Sequence, residues 1–102
     1  MAEWKNLTSR ARTALCDALR AGLSERGIDS QSIDLEASGL PGRYRLYIVA
    51  PEFANLDYSE RLEVVNSVLE ERWDRADRLR VTIVFPLSPD EVPETPSARK
   101  PA

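Results

Sequence analysis

Two alternating segments separated by a short turn constrain the fold more than any other feature of this sequence. In residues 32–37 and again in residues 43–49, apolar and polar side chains alternate, which is the period of a strand with one buried face. Residues 38–42 between them read Ser-Gly-Leu-Pro-Gly, a run dense in turn formers. The sequence therefore predicts a hairpin. Its apolar face would consist of Ile33, Leu35, Ala37, Tyr44, Leu46 and Ile48.

Two other segments have helical periodicity. From Glu3 to Arg26, apolar residues recur at steps of three and four, and Gly27 follows as a typical helix C-cap. Asp57 and Glu60 have the spacing of a capping box, so a second helix is predicted to start there and to run to about Trp73.

A third alternating segment, residues 79–85, completes the pattern. A strand, helix, strand crossover makes the third strand parallel to the second, so the sheet is mixed. Each strand has one apolar face and each helix one apolar stripe, which predicts an α+β fold with α-β-β-α-β order and both helices on one face of a three-stranded sheet. The predicted core includes Leu46, Ile48, Val65, Leu69, Val81 and Ile83.

The length of 102 residues predicts one domain, and a change in composition places its end near residue 87. Ser88 and Pro89 have the pattern of an N-cap and a first helical position, which predicts one short turn. Four of the seven prolines lie in residues 88–102, so this segment is predicted to be an exposed and flexible tail.

The residue types that usually perform catalysis are scarce. The chain contains no histidine and one cysteine, Cys16, which is predicted to be a buried structural thiol. One thiol without an imidazole cannot form a zinc or iron–sulfur site within a single chain. We therefore expect no catalytic residues, no bound metal and no cofactor.

Charge and hydropathy exclude further classes of function. The net charge of −3 provides no overall attraction to nucleic acids or to anionic lipids. The longest apolar run, residues 46–51, is far shorter than the roughly 20 residues that span a bilayer, and no signal peptide is recognisable. The single cysteine fits a reducing compartment, which predicts a cytoplasmic protein with no membrane partner.

The polar face of the predicted sheet is the candidate interaction surface. It would carry arginines beside an aromatic ring, an arrangement that can bind nucleic acids. Asp34 and Glu36 on the neighbouring strand would weaken that positive field, and cross-strand ion pairs on a solvated face are the simpler interpretation. The candidate residues on this face are Arg43, Arg45, Tyr47, Arg80 and Thr82.

Residues 53–92 resemble the BolA family. Phe-Ala-Asn-Leu at 53–56, Arg61 and an acidic Glu71 resemble the family's signature helix, and Leu-Ser-Pro-Asp-Glu at 87–91 resembles its closing segment. The resemblance implies a fold related to class II KH domains and a regulatory role, including in stress responses. It also adds Arg61 to the candidate interaction residues.

Two departures separate this sequence from the family pattern. Leu62 and Arg80 stand where the family has histidines. The second of those histidines, with a Cys or His from the loop between the first two strands, helps to bind a [2Fe–2S] cluster shared with a monothiol glutaredoxin. Here the loop at 38–42 has neither ligand, and an arginine offers no lone pair to iron. We therefore do not expect cluster binding, and a glutaredoxin remains a partner only through direct protein contact.

Three functions follow as hypotheses. The first is a non-enzymatic adaptor or regulator that acts through protein contact. The second is a KH-like regulator that binds nucleic acid through the arginines of the sheet. The third is a small scaffold subunit of a larger assembly.

Overall fold

The chain follows the predicted order of helix, strand, strand, helix and strand, with a one-turn helix added before the last strand. The computed structural model describes residues 7–92. Its helices and strands are α1 (Ser9–Glu25), β1 (Ser32–Ala37), β2 (Tyr44–Val49), α2 (Tyr58–Arg72), α3 (Arg75–Arg78) and β3 (Val81–Leu87). Two 3-10 turns, Pro51–Asn55 and Pro89–Glu91, follow β2 and β3.

Helix α1 begins later than the sequence predicted. Thr8 is extended, with φ −70° and ψ 163°, and its hydroxyl accepts a hydrogen bond from the Ala11 amide at 3.1 Å. This N-cap fixes the start at Ser9, so the predicted start at Glu3 is wrong. Residues 3–6 lie outside the described part of the chain. At the other end, Gly27 has φ 81°, a conformation that glycine adopts without strain.

Helix α2 begins as predicted. The Asp57 carboxylate accepts from the Glu60 amide, and the Glu60 carboxylate accepts from the Asp57 amide, each at 2.9 Å. Both bonds satisfy amides that lack a partner within the helix, so the capping box is confirmed.

The sheet has the order β1-β2-β3, with β1 antiparallel and β3 parallel to the central strand. Ile33 pairs with Ile48 and Leu35 with Leu46, and all four are buried beneath the helices. The two-layer α+β architecture with a mixed three-stranded sheet is therefore confirmed.

A bulge in β3 changes one prediction. Tyr44 pairs with Val81 but the next residue, Arg45, pairs with Ile83, so Thr82 is the extra residue. One extra residue inverts the alternation beyond it, because side chains alternate with a period of two. Ile83, predicted to be core, is 44% exposed, and the predicted inward position of Phe85 is also wrong. The core positions of β3 are instead taken by Val84 and Pro86.

The remaining core agrees with the sequence. Leu46, Ile48, Val65 and Leu69 are buried as predicted, and Val81 is half-buried against the same cluster. Ala37 and Leu79, predicted to face inward, are exposed: Ala37 is the last residue of β1, and Leu79 is the C-cap of α3, before β3 begins.

The two long helices cross at Gly22. A Cβ at this position would collide with the side chain of Val68 on α2, so glycine allows the close approach. Ion pairs Arg72–Glu25 and Arg26–Glu71, the latter at 3.3 Å, flank the crossing. Within residues 7–92, no helix is long and apolar enough to cross a bilayer.

Candidate functional site

The open face of the sheet is the surface opposite the helices, and no helix of the described chain covers it. Because the bulge inverts the end of β3, Ile83 and Phe85 join the side chains of β1 and β2 on this face. We define the open face by Asp34, Glu36, Arg45, Tyr47, Ile83 and Phe85.

An aromatic pair lies on this face. Tyr47 and Phe85 are register partners on β2 and β3, and their rings stack with centroids 4.8 Å apart and planes 16° apart. Both residues are only half-buried. Stacked rings on an uncovered sheet expose apolar surface to another molecule.

The arginines beside the rings are engaged in internal contacts. Arg45 pairs in register with Glu36, and its Nη2 lies 3.2 Å from the Glu36 carboxylate and 3.3 Å from the Ala37 carbonyl. Arg43 Nη1 donates to the Leu79 carbonyl at 2.9 Å. The predicted cross-strand ion pair is thus present between Arg45 and Glu36.

Arg80 lies at the start of β3, with 21% of its side chain exposed. Its Nε is 3.5 Å from the Asp77 carboxylate, and neither Nε nor Nη1 has a hydrogen-bond partner within residues 7–92. Burial raises the pKa of Asp77, and the Asp74 carboxylate raises it further, while Arg80 lowers it. Arg80 therefore has one charged partner but leaves two buried nitrogens without a hydrogen bond to a described residue.

Thr82, the extra residue of the bulge, is exposed. Its hydroxyl donates to the Tyr44 carbonyl at 3.2 Å. This bond bridges the place where the backbone ladder is disrupted, so the side chain contributes to the register of β3.

Arg61 is far more buried than the other candidate residues, at 8% exposure. It donates to the Leu56 carbonyl at 3.0 Å, to the Pro86 carbonyl at 3.1 Å and to both oxygens of Glu91, the shorter contact being 2.6 Å. These bonds place it at the junction of α2, β3 and the Pro89–Glu91 turn, away from the open face.

The guanidinium of Arg61 lowers the pKa of Glu91 to about 2, with help from the Ser88 amide. Ser88 and Glu91 form the capping box of the turn, and Ser88 is buried, so the predicted turn is confirmed and is attached to the domain. The rest of the predicted tail, residues 93–102, lies outside the described residues.

The chain's own residues do not fit a [2Fe–2S] cluster. Arg80 presents no lone pair to a metal, and the loop at 38–42 contains neither thiol nor imidazole. Burial raises the pKa of the Cys16 thiol, and Asp34 and Asp17 raise it further, so the thiolate that iron needs is disfavoured. Residues 7–92 contain no group of three His, Cys, Asp or Glu side chains placed to hold a metal ion.

Of the six candidate residues, Arg45 and Tyr47 share the open face. Arg43 precedes β2, Thr82 and Arg80 lie at the start of β3, and Arg61 is internal. Ile83 and Phe85, which complete the face, were missed because strict alternation along β3 placed them in the core. One sequence feature indicated this uncertainty: apolar residues, including Val84, occur at both odd and even positions of β3, so alternation alone does not determine which face is buried.

Comparison with known proteins agrees with this architecture. The chain matches no family profile and no curated protein sequence. Among solved structures it is similar to BolA1 from Arabidopsis thaliana, with 18% sequence identity and a TM-score of 0.55 over 78% of this chain and 96% of that chain. The fold is therefore BolA-like, well beyond the residues 53–92 that carry the sequence resemblance.

Proposed function

We propose that this chain is a non-enzymatic adaptor or regulator that binds a partner protein through the open face, without ligating an iron–sulfur cluster. The observation that carries the proposal is the Tyr47–Phe85 stack on an uncovered sheet. Aromatic side chains are enriched in protein interfaces because they bury a large area at a small cost in conformational entropy.

The charges around the stack favour a protein over a nucleic acid. Arg45 is already paired with Glu36, and Asp34 is exposed on the neighbouring strand. Phosphate binding releases counterions in proportion to the phosphates that cations neutralise, and a face of mixed charge neutralises few of them. Ion-paired charges around an apolar centre suit the polar rim of a protein interface.

Chemistry supports a role without catalysis. The sequence has no histidine, and the raised pKa of Cys16 keeps its thiol protonated. For the same reasons, contact with a monothiol glutaredoxin would involve protein surfaces alone and no shared metal ligand from this chain. The function of the protein is then to present a surface and not to turn over a substrate.

Photo-crosslinking in the source cells tests the proposal. A benzophenone amino acid replaces Tyr47, and a matched variant carries it at Glu63, which is exposed on α2. We expect one discrete protein adduct from position 47 and none from position 63. Equal adducts at both positions, or adducts only with RNA, would contradict the proposal. Adducts confined to a permanent assembly that survives high salt would favour a scaffold subunit.

A second candidate, nucleic-acid binding, is favoured by one observation, the stacked rings on the same sheet face as Arg45. Bases stack on aromatic side chains regardless of sequence. A single-stranded RNA decamer, titrated at low and at high salt, tests it. A steep fall of affinity with salt supports this candidate, and no binding at low salt removes it.

A further inference from the structure

A groove of about 420 Å³ lies between α2 and the outer edge of β3. Its walls are a helix surface and a strand edge, so it differs from the open face, although Ile83 belongs to both. The lining residues used below are Tyr58, Leu62, Glu70, Val81, Ile83 and Val84.

Exposed apolar surface is concentrated at this groove. Four large apolar side chains are well exposed within residues 7–92, and two of them, Tyr58 at 52% and Ile83 at 44%, line it. A third, Leu79, lies between the lining residues Arg78 and Val81 and is 60% exposed. Apolar side chains gathered around a groove mark a binding surface more often than scattered ones do.

The backbone of β3 is open along one half of this edge and closed along the other. Toward the end of the strand, the Pro86 carbonyl accepts from Arg61, and Pro86 has no amide to donate. At Val84 the carbonyl accepts from the Tyr58 hydroxyl at 3.3 Å. From Val81 to Ile83, no strand of the described chain pairs with the outer edge.

The open half also lacks the charges that usually protect an edge strand. The other edge strand, β1, carries Asp34 and Glu36, whereas residues 81–85 of β3 are uncharged and rich in β-branched side chains. Two charged side chains line the groove, Glu70 and Arg78, and neither forms an ion pair within residues 7–92; Glu70 also makes no hydrogen bond with another described residue. Arg78 donates to the Trp73 carbonyl at 2.8 Å.

We propose that this groove binds an extended segment of a partner protein, which adds to β3 as a fourth strand along residues 81–83. Main-chain hydrogen bonds to the open edge provide the affinity, as in other strand-addition complexes. An apolar side chain of the segment packs between Ile83 and Leu62, and a Lys or Arg near one end pairs with Glu70. The proposal does not require a partner at the open face.

Nuclear magnetic resonance on the full chain tests the proposal with a defined probe. The probe is a capped hexapeptide of sequence Lys-Thr-Val-Thr-Ile-Thr, and a matched peptide carries N-methyl groups on alternate residues. We expect the amide signals of residues 81–83 to shift with the first peptide. They should not shift with the second peptide, which keeps the side chains but loses the hydrogen-bond donors.

Charge variants sharpen the assignment. Glu70→Gln should weaken peptide binding by about threefold, the effect of a solvent-exposed ion pair. Glu63→Gln, a matched change on α2 outside the groove, should leave it unchanged. Absence of shifts at millimolar peptide, equal binding of the N-methyl peptide, or shifts confined to Tyr47 and Phe85 would each overturn the proposal.

Two other occupants of the groove, a second copy of the chain or its own residues 93–102, would be recognised from the NMR spectrum without added peptide. Groove signals that move with protein concentration would assign the groove to a second copy of this chain. Groove signals that move when residues 93–102 are removed would assign it to the chain's own end. Either result overturns the proposal, and neither bears on the open face.

Discussion

The two ends of β3 each have an arginine, and the two arginines differ in how completely they are bonded. Arg61, beside the end of the strand, is 8% exposed and donates to two carbonyls and a carboxylate. Arg80, at the start, has 21% of its side chain exposed, a loose contact with Asp77 and two buried nitrogens without partners among the described residues. A buried charge is stable only where hydrogen bonds replace its lost water, so the first arginine is structural and the second is not.

The difference separates β3 into a closed half and an open half. In the closed half, Pro86, Arg61 and Glu91 join the strand edge to α2 and to the last turn. In the open half, the bulge at Thr82 and the unpaired edge leave backbone groups and apolar side chains accessible. The open half is where both proposed binding surfaces meet, since Ile83 belongs to each.

Replacing Arg61 should have the largest effect. Arg61→Met keeps much of the volume but leaves Glu91 and the Leu56 and Pro86 carbonyls without their donor. We expect a loss of about 2–4 kcal/mol in the free energy of unfolding, because each abandoned polar group costs about 1–3 kcal/mol where it stays dry. Urea unfolding followed by tryptophan fluorescence measures it.

Arg61→Lys is the matched control. Lysine keeps the charge but cannot make the two-pronged contact with Glu91, so it should recover only part of the lost stability. Full recovery of the free energy of unfolding would mean that the positive charge alone holds the turn in place. A loss below about 0.5 kcal/mol in Arg61→Met would mean that the two arginines do not differ in their contribution to stability.

Low pH should have the second-largest effect on stability, and it should act at the same end of β3. The pKa of Glu91 is about 2 in the folded chain, below its ordinary 4.5, chiefly because of the hydrogen bonds from Arg61. A carboxylate with a lowered folded pKa stabilises the fold above its unfolded pKa, and this stabilisation disappears as the pH falls from about 4.5 to about 2. The difference in urea midpoint between wild type and Glu91→Gln should therefore shrink across that range. A difference that stays constant would show that the charge of Glu91 contributes nothing.

At the open end, loss of the Thr82 hydroxyl should have a smaller effect. Thr82→Val retains a β-branched side chain but removes the hydrogen bond to the Tyr44 carbonyl. We expect a loss of about 1 kcal/mol, the net value of one such bond. Thr82→Ser, which keeps the hydroxyl, serves as the control, and equal stability of wild type and Thr82→Val would refute a role for this bond in the register.

Much of the fold is predictable from the sequence because short-range rules decide it. Alternation located β1 to the residue, and the Asp57 capping box located the start of α2. The order of elements then determined the mixed sheet, since a crossover helix requires parallel strands. The short helix α3 escaped prediction because residues 74–78 are polar and carry no apolar stripe.

The candidate surface was harder to predict because it depends on tertiary pairing. A bulge is set by which residues of two strands face each other, and a single extra residue exchanged the faces of Val84 and Phe85. From the sequence alone, Arg61 would be expected to be an exposed cation on an amphipathic helix. Its burial follows from the position of Glu91, thirty residues later, which no local pattern reveals.

The smallest effect is expected for Arg80. Arg80→Met removes a guanidinium with two unsatisfied nitrogens, so the cost of losing its contact with Asp77 is offset by relief of buried polar groups. We expect the free energy of unfolding to change by less than about 0.5 kcal/mol.

Arg80→His is a second test at the same position, because it introduces an imidazole that can bind iron. The loop at 38–42 still supplies no thiolate or imidazole, and a cluster held by one ligand from this chain would be unstable. Mixed with a cluster-loaded monothiol glutaredoxin, both wild type and Arg80→His should leave the visible absorption spectrum of the glutaredoxin unchanged. New histidine-ligated absorption bands with the wild type would show that another side chain of this protein binds iron, and the start of β3 would then be a ligand site.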